Sequence, residues 1–517
     1  MESKELWKNP VFYLSASFIL LLVLLGVTMP SRFGAAASAL FDLTAINFGW
    51  FYLFSVFILI VFLLFLAVSK YGLIRLGGED ERPEFPFFTW IGMLFSAGFG
   101  VGLVFWGVAE PMSHFFTPPF QTVDGQTEAA ARVAMGYSFF HWGISQWSVF
   151  AIVGLVIAFL QFRKNKDGLV STALAPAVGQ RPAVRHTIDC LAIIATVLGI
   201  ATSLGLGILQ VNGGLHAVFG VGNATWIQMV IIGVIFVAYM LSSTTGLNKG
   251  IRYLSNLNLG LALLLLLFVL FLGPTRFILE SFTLAIGDYI SNFIQYSLRM
   301  EPYVGGTWVR DWTIFYWAWA IAWSPYVGAF VARVSRGRTI REFIVGVMIV
   351  PPLIACLWIA TFGGTALWSD LNVQAGIADV VNEDLTLALF QTYEFLPLTT
   401  VASIVSLFLI VTFLVTSADS ATFILASMSS FGRTNPPRLA KMTWGVLMSA
   451  IAAALLYAGG LDALQTASLV AALPFTIILL ILLYAIVKLL RQEPLPIRKA
   501  DLKRFRRLEK AANKKEK

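Results

Sequence analysis

Ser96-Ala97-Gly98-Phe99-Gly100-Val101-Gly102 lies inside an apolar stretch long enough to cross a bilayer and runs on to Trp106-Gly107 and Glu110-Pro111. A crossing takes roughly 20 mostly apolar residues. Three glycines within five positions weaken a helix, because glycine gives up the most backbone freedom on folding. In a membrane such a run has two readings. Small residues let helix backbones approach closely. Otherwise the helix unwinds, and its freed carbonyls line a cavity. Glu110-Pro111 reads as the end of the span, since proline interrupts the helical ladder.

Eleven further apolar stretches flank this one, centred near Leu20, Ile58, Val149, Thr196, Ile232, Leu264, Ala320, Ile354, Phe408, Ile451 and Ile478, which predicts about twelve crossings. The first is too long for a signal h-region and is followed closely by another, so it reads as a retained span. The loops sort by charge. The N-terminus, loops 70–82, 163–185, 249–252, 333–341 and 433–441, and the C-terminal segment from Lys488 carry 31 of the 36 Lys and Arg residues. The alternate loops hold only Arg32, Arg132, Arg276, Arg299 and Arg310. That alternation is a positive-inside pattern, which predicts cytoplasmic termini. It also checks the span count, because one missed crossing would scramble it. Two stretches in the external loops, 277–298 and 385–396, mix apolar and polar residues at helical spacing and read as surface helices.

Composition agrees. The 517 residues are 58% hydrophobic and 12% charged, where a soluble domain carries about a quarter charged. The net charge of +8 comes mostly from residues 491–517, with eleven Lys/Arg against four Asp/Glu. This basic, amphipathic tail suits anionic lipid rather than nucleic acid. Cys190 and Cys356 form no disulfide framework, and no HExxH, GxSxG or Walker pattern occurs, so no enzyme is indicated and no cofactor is expected.

Three further features point to a site. Trp312, Tyr316, Trp319 and Trp323 recur at helical spacing and form one stripe. An interfacial aromatic belt is the plain alternative, but a belt sits at a span's ends, and this stripe runs about three turns to Pro325, which reads as a break. Trp142, Gln146 and Phe150 share a second face, with Trp147 beside it; two such faces suit a cation held by π systems. Thr416-Ser417 precede Asp419 inside another span. Their hydroxyls either bond back to the preceding turn or ligate Na⁺. His141 reads as a packing or hydrogen-bonding residue.

These residues carry a resemblance. Ser96–Gly102 with Phe105-Trp106-Gly107 and Glu110-Pro111, Phe140-His141-Trp142-Gly143, and Thr313–Trp319 leading to Trp323-Ser324-Pro325-Tyr326-Val327-Gly328 and 333–339 together resemble the betaine/choline/carnitine transporter (BCCT) family over nearly the whole chain. The resemblance implies an all-α polytopic membrane protein with two inverted five-helix repeats of the amino-acid-transporter (LeuT-like) type. Residues 1–89 would hold two peripheral spans, 90–272 the first repeat, 273–311 an external connector, 312–490 the second repeat and 491–517 the tail. It implies a solute site at Trp142, Trp147, Phe150, Trp319, Ala320 and Trp323, beside Gly98, Gly100 and Gly102. Phe150 stands where the family often has tyrosine, and Ala320 where it usually has tryptophan; the missing ring widens the range of solutes.

For the coupling ion, the resemblance implies Na⁺ at Ser96, Phe99, Phe413, Thr416 and Ser417. Gly102 occupies the position at which proton-coupled choline carriers hold aspartate. A second sodium site uses two threonines; one matches Thr196 and the other falls on Ile200. The implied function is Na⁺-coupled uptake of a betaine-type osmolyte by alternating access, in the plasma membrane of a prokaryote, as a homotrimer. Ectoine, choline or carnitine transport, proton coupling, sodium-independent exchange and a transport-inactive osmosensor are the rivals.

Overall fold

The computed structural model describes residue 6 and residues 8–98, 100–245, 248–303, 305–433 and 435–494. Phe99 and most of the basic tail therefore lie outside the described residues. Among the described residues the protein is helical, and its β-structure is a single bridge between Arg75 and Thr339.

Ten helices among the described residues are long and apolar enough to cross a membrane. Two come first, α1 (Pro10–Thr28) and α2 (Pro30–Val68). Each begins on a proline, which suits a helical start because its missing N–H needs no partner there. Asn9 caps α1 by accepting from Val11 N at 3.1 Å. The glycine stretch divides the next helix into α3 (Phe87–Gly98) and α4 (Val101–Phe116), with Gly100 extended between them at φ −131°, ψ −175°. The helix thus breaks where the glycines stand. It does not end at Glu110-Pro111. Pro111 lies inside α4, and the Gly107 carbonyl one turn before it is packed tightly against Gly363.

A second break follows. Residues 128–163 form one crossing split by extended Gly143 into α5 (Glu128–Trp142) and α6 (Ile144–Ala158), with a π-helical turn at Phe159–Arg163. The single helical face drawn through Trp142, Gln146 and Phe150 is therefore two segments. A β-carbon at Gly143 would lie 2.3 Å from the Tyr289 hydroxyl, so only glycine fits. That hydroxyl accepts the free Ile144 N–H at 2.9 Å.

The chain continues through α7 (Val170–Val178), α8 (Pro182–Phe219), α9 (Thr225–Thr245), α10 (Asn248–Leu272) and α11 (Thr275–Ser297). A π-helical turn, Arg310–Ile314, opens α12 (Phe315–Val334). Pro325 does not break α12. The carbonyl that it leaves without a donor, that of Ile321, accepts from the Ser324 hydroxyl at 2.8 Å, which repairs the defect locally. Then come α13 (Ile340–Val373), started by a Thr339–Glu342 capping box, and the short α14 (Ile377–Glu383) and α15 (Ala388–Tyr393). The last two are α16 (Thr399–Met428) and α17 (Arg438–Leu490). At 53 residues, α17 would be about 80 Å long if straight. It bends at Gly459 and Gly460, whose backbones are not helical.

Burial separates centre from periphery. The crossing at 128–163 is 94% buried, whereas those of α1 and α10 are each 28% buried. Exposed apolar side chains such as Leu21, Phe65, Val234 and Phe271 cover the outer helices, as a surface facing lipid tails requires. The two loop classes also separate in space. At one end Arg163 pairs with Glu493 at 2.8 Å, Arg336 with Glu81 at 2.6 Å, and Arg75 donates to Gly337 O at 2.9 Å. The other class of loops makes its own contacts, Arg132 with Asp288 at 2.7 Å and Gln126 with Asp379 at 3.1 Å.

Candidate solute and ion site

The broken glycine helix, the α5–α6 break and α12 meet in the buried centre. Trp142 ends α5, Trp147 and Phe150 follow on α6, and Trp319 and Trp323 lie one turn apart on α12. Their rings form a continuous arc. Centroids are 6.1 Å apart for Trp142–Trp319, 6.1 Å for Trp319–Trp323, 6.0 Å for Trp323–Phe150 and 5.5 Å for Phe150–Trp147. Five of the six side chains implied for the solute box are thus brought together. Ala320 is buried on the same helix but adds only a methyl.

The stripe extends beyond the arc. Trp308, Trp312, Tyr316, Trp319, Trp323 and Tyr326 follow one another at 5.7–6.5 Å. At its outer end the Arg299 guanidinium lies 4.2 Å over Phe120 and 5.6 Å over Trp308. A stripe that continues through the interior is not an interfacial belt. Trp317 points off it, towards Phe140 at 5.3 Å.

Gly102 is where the glycine helix touches the box. A β-carbon there would come 2.4 Å from the Trp319 ring and 3.5 Å from Trp142. Of Ser96 and Gly98, only their place in the last turns of α3 is described. Gly100, Gly102, Ser203, Trp323, Tyr326 and Ser417 border a cavity of about 20 Å³. Such a space holds roughly one water or small ion. Ile200 borders it too, while Thr196 bonds back to Ala192 O at 2.7 Å.

The residues of the implied sodium set do not all face that cavity. Thr416 donates back to Thr412 O and Phe413 O at 3.0 and 3.2 Å and accepts from Asn258 Nδ2 at 3.3 Å. Its hydroxyl therefore closes its own helical turn. Phe413 is buried on the same helix, and its carbonyl takes part in that bond. Asp419, deeper in α16, faces Ser242, Ser243 and Lys441.

One cluster escaped the sequence reading. Glu110, His114 and His141 are fully buried together, and their ligand atoms lie within 4.8 Å of one another. Glu110 Oε1 is joined to His141 Nδ1 at 2.6 Å and to His114 Nε2 at 3.3 Å. Glu110 Oε2 accepts from the Trp142 indole at 2.9 Å and the Tyr316 hydroxyl at 2.5 Å. His141 Nε2 is joined to Thr313 Oγ1 at 3.0 Å. With both carboxyl oxygens doubly engaged, the set is a hydrogen-bonded hub. The spacing of Glu110 and His114, one helical turn apart, was its only sequence signal.

The family model described as "BCCT, betaine/carnitine/choline family transporter" matches residues 10–495. The chain is 61% identical over 488 residues to the ectoine/hydroxyectoine transporter of Virgibacillus pantothenticus, covering 94% of this chain and 97% of that protein. It is 46% identical over 499 residues to the glycine betaine transporter OpuD of Bacillus subtilis, covering 95% and 96%. With the betaine/ectoine transporter LcoP of Corynebacterium glutamicum the identity is 38% over 496 residues, covering 94% and 78%.

Proposed function

The chain belongs to the betaine/carnitine/choline transporter family, and from that premise we propose that it imports a compatible solute by sodium-coupled alternating access. It is a multi-pass membrane transporter and not an enzyme. The observation that carries the proposal is the arc of five rings beside the broken glycine helix. A cation that cannot donate many hydrogen bonds is held best by π faces, and a discontinuous helix at mid-membrane is where transporters of this kind bind.

Ectoine or hydroxyectoine is the first solute, and glycine betaine the second. The delocalised ring cation of ectoine is bulkier than a trimethylammonium head. Ala320 supplies no sixth ring to select for a trimethylammonium head, and the relative with 61% identity is named for ectoine and hydroxyectoine. Choline and carnitine rank below. Gly102, pressed on Trp319, leaves no room for the aspartate of proton-coupled carriers. Sodium is supported by Ser417 and Gly100 bordering one small cavity, with Thr416 next to Ser417 and Phe413 one turn before it on α16; Ser96 and Phe99 complete the proposed set.

The architecture proposed is twelve crossings. The ten long helices reach that number when α17 is divided at its glycines and α3–α4 counts as one crossing. Residues 90–272 and 312–490 are then the inverted repeats that rock about the box. The basic loops and both termini face the cytoplasm of a prokaryotic plasma membrane, with the tail on anionic lipid, and the protein assembles as a homotrimer.

The test is uptake of radiolabelled ectoine and glycine betaine into proteoliposomes under an inward sodium gradient, with sodium equal on both sides, and with a proton gradient alone. Uptake that ignores sodium refutes the coupling. If neither solute is taken up nor competes with the other, the solute assignment is wrong.

A further inference from the structure

We infer that Glu110 is a positioning residue for the solute site, acting through Trp142 and Tyr316, whose polar hydrogens it holds; this rests on the solute site proposed above. The carboxyl is wholly buried and touches no part of the cavity. Its Oε2 nevertheless accepts from the Trp142 indole at 2.9 Å and the Tyr316 hydroxyl at 2.5 Å. Trp142 is the first ring of the arc, and Tyr316 stands beside both Trp142 and Trp319, at 5.8 and 6.3 Å. An indole N–H can only donate. In an apolar interior, leaving it without an acceptor costs on the order of 1–3 kcal/mol. One acceptor at a fixed place therefore selects one orientation of the Trp142 ring.

The other oxygen anchors the hub. Oε1 bonds to both imidazoles, and His141 carries the chain of bonds on to Thr313 in the π-helical turn that opens α12. His141 also stacks on Tyr316 at 4.7 Å and 18°. Glu110 on α4 thus fixes the end of α5 against the start of α12, the two elements that carry Trp142 and Trp319. Reach is what this role requires, and charge is not. A glutamine keeps an acceptor oxygen towards Trp142 and Tyr316 and turns its amide N–H₂ to the imidazoles, each of which can accept in its other tautomer. An aspartate keeps the carboxyl group but withdraws it by about 1.5 Å, one carbon–carbon bond.

The pair Glu110→Gln and Glu110→Asp decides the matter. Solute affinity is read by tryptophan fluorescence, and KM and Vmax by uptake of ectoine and glycine betaine. Glu110→Gln is expected within threefold of the unsubstituted protein in both. Glu110→Asp is expected to raise Kd and KM at least tenfold, with Vmax within threefold. A Glu110→Asp protein with unchanged KM overturns the inference. So does a Glu110→Gln protein that loses affinity, which would make the hub's role electrostatic. A readout without solute keeps the two proposals apart. In protein labelled with 5-fluorotryptophan, the Trp142 resonance, identified by its loss in Trp142→Phe, should shift and broaden in Glu110→Asp and stay in place in Glu110→Gln. If no solute binds even the unsubstituted protein, the proposed function fails while this signal still tests the hub. An unmoved resonance in Glu110→Asp refutes the hub itself.

Discussion

Replacing Gly102 with alanine adds one methyl at the contact between the glycine helix and the aromatic arc. Its carbon would start 2.4 Å from the Trp319 ring, where ordinary contact begins near 3.4 Å. The ring must therefore retreat by about 1 Å, but it is hemmed in. It stacks on Phe315 at 5.9 Å and 4° and lies against Trp323 and Trp142, and its indole N–H donates to Ser203 at 3.3 Å. Overpacking of this kind costs about 1–3 kcal/mol. If that strain falls on the solute-bound geometry, affinity drops by roughly 5- to 150-fold, at 1.4 kcal/mol per decade. The assay is fluorescence titration with ectoine and glycine betaine, alongside the melting temperature. Gly364→Ala is the control, because a β-carbon there finds only Met135 at 3.8 Å. It should change neither reading by much. If Gly102→Ala binds both solutes within twofold of the unsubstituted protein, Trp319 does not form the wall of the site.

Three other expectations follow from the same geometry. Ser417→Ala should raise the sodium concentration for half-maximal uptake about tenfold, and Thr416→Ala less, because the Thr416 hydroxyl is already engaged within its own helix; the reverse order in a sodium titration refutes the placement of the ion. Ala320→Trp forces a large ring into a position only 1% exposed and should lower the melting temperature by several degrees, since overpacking costs about 1–3 kcal/mol or more; an unchanged melting point and solute ranking would mean that the methyl faces open space. Burial raises the Glu493 carboxyl, but the side-chain hydrogen bonds of Lys164 and Arg163 outweigh it and hold the group below its usual value. Its stabilisation is then complete above the unfolded value of about 4.3 and disappears as pH falls through the lower folded value. Melting curves of Glu493→Gln should lie below those of the unsubstituted protein from pH 8 to 5 and converge with them below about pH 4; a constant gap at all pH values refutes the ion pairs.

Much of this architecture can be read in the sequence because membranes impose it. Alternating loop charge separates the two ends, and the 3.6-residue period exposes the tryptophan stripe. The glycine run marks a real break. The misreadings have one cause, which is that partners come from far along the chain. Pro111 and Pro325 look like helix ends, yet both helices run on. Close packing on Gly363 surrounds the first defect, and the Ser324 hydroxyl repairs the second. Gly143 is a lone glycine among helix formers, and its break is stabilised by a tyrosine 145 residues beyond Ile144. The Glu110 hub draws donors from 4 to 206 residues away. No local pattern encodes such convergence, although each member is an ordinary buried polar residue in its own helix.

The contact between Tyr289 and the Gly143 break changes what counts as the smallest recognising unit. Residues 273–311 look like a spacer between two bundles, and the tyrosine sits on the helix inside that spacer. Yet its hydroxyl occupies the gap next to the first ring of the arc and accepts the amide that the break sets free. Without that hydroxyl the amide would be bare in an apolar medium, and α5 and α6 would be free to fuse into one straight rod. Trp142 would then swing away from Trp319. A chimera that exchanges solute preference between relatives therefore has to carry the connector with the helices.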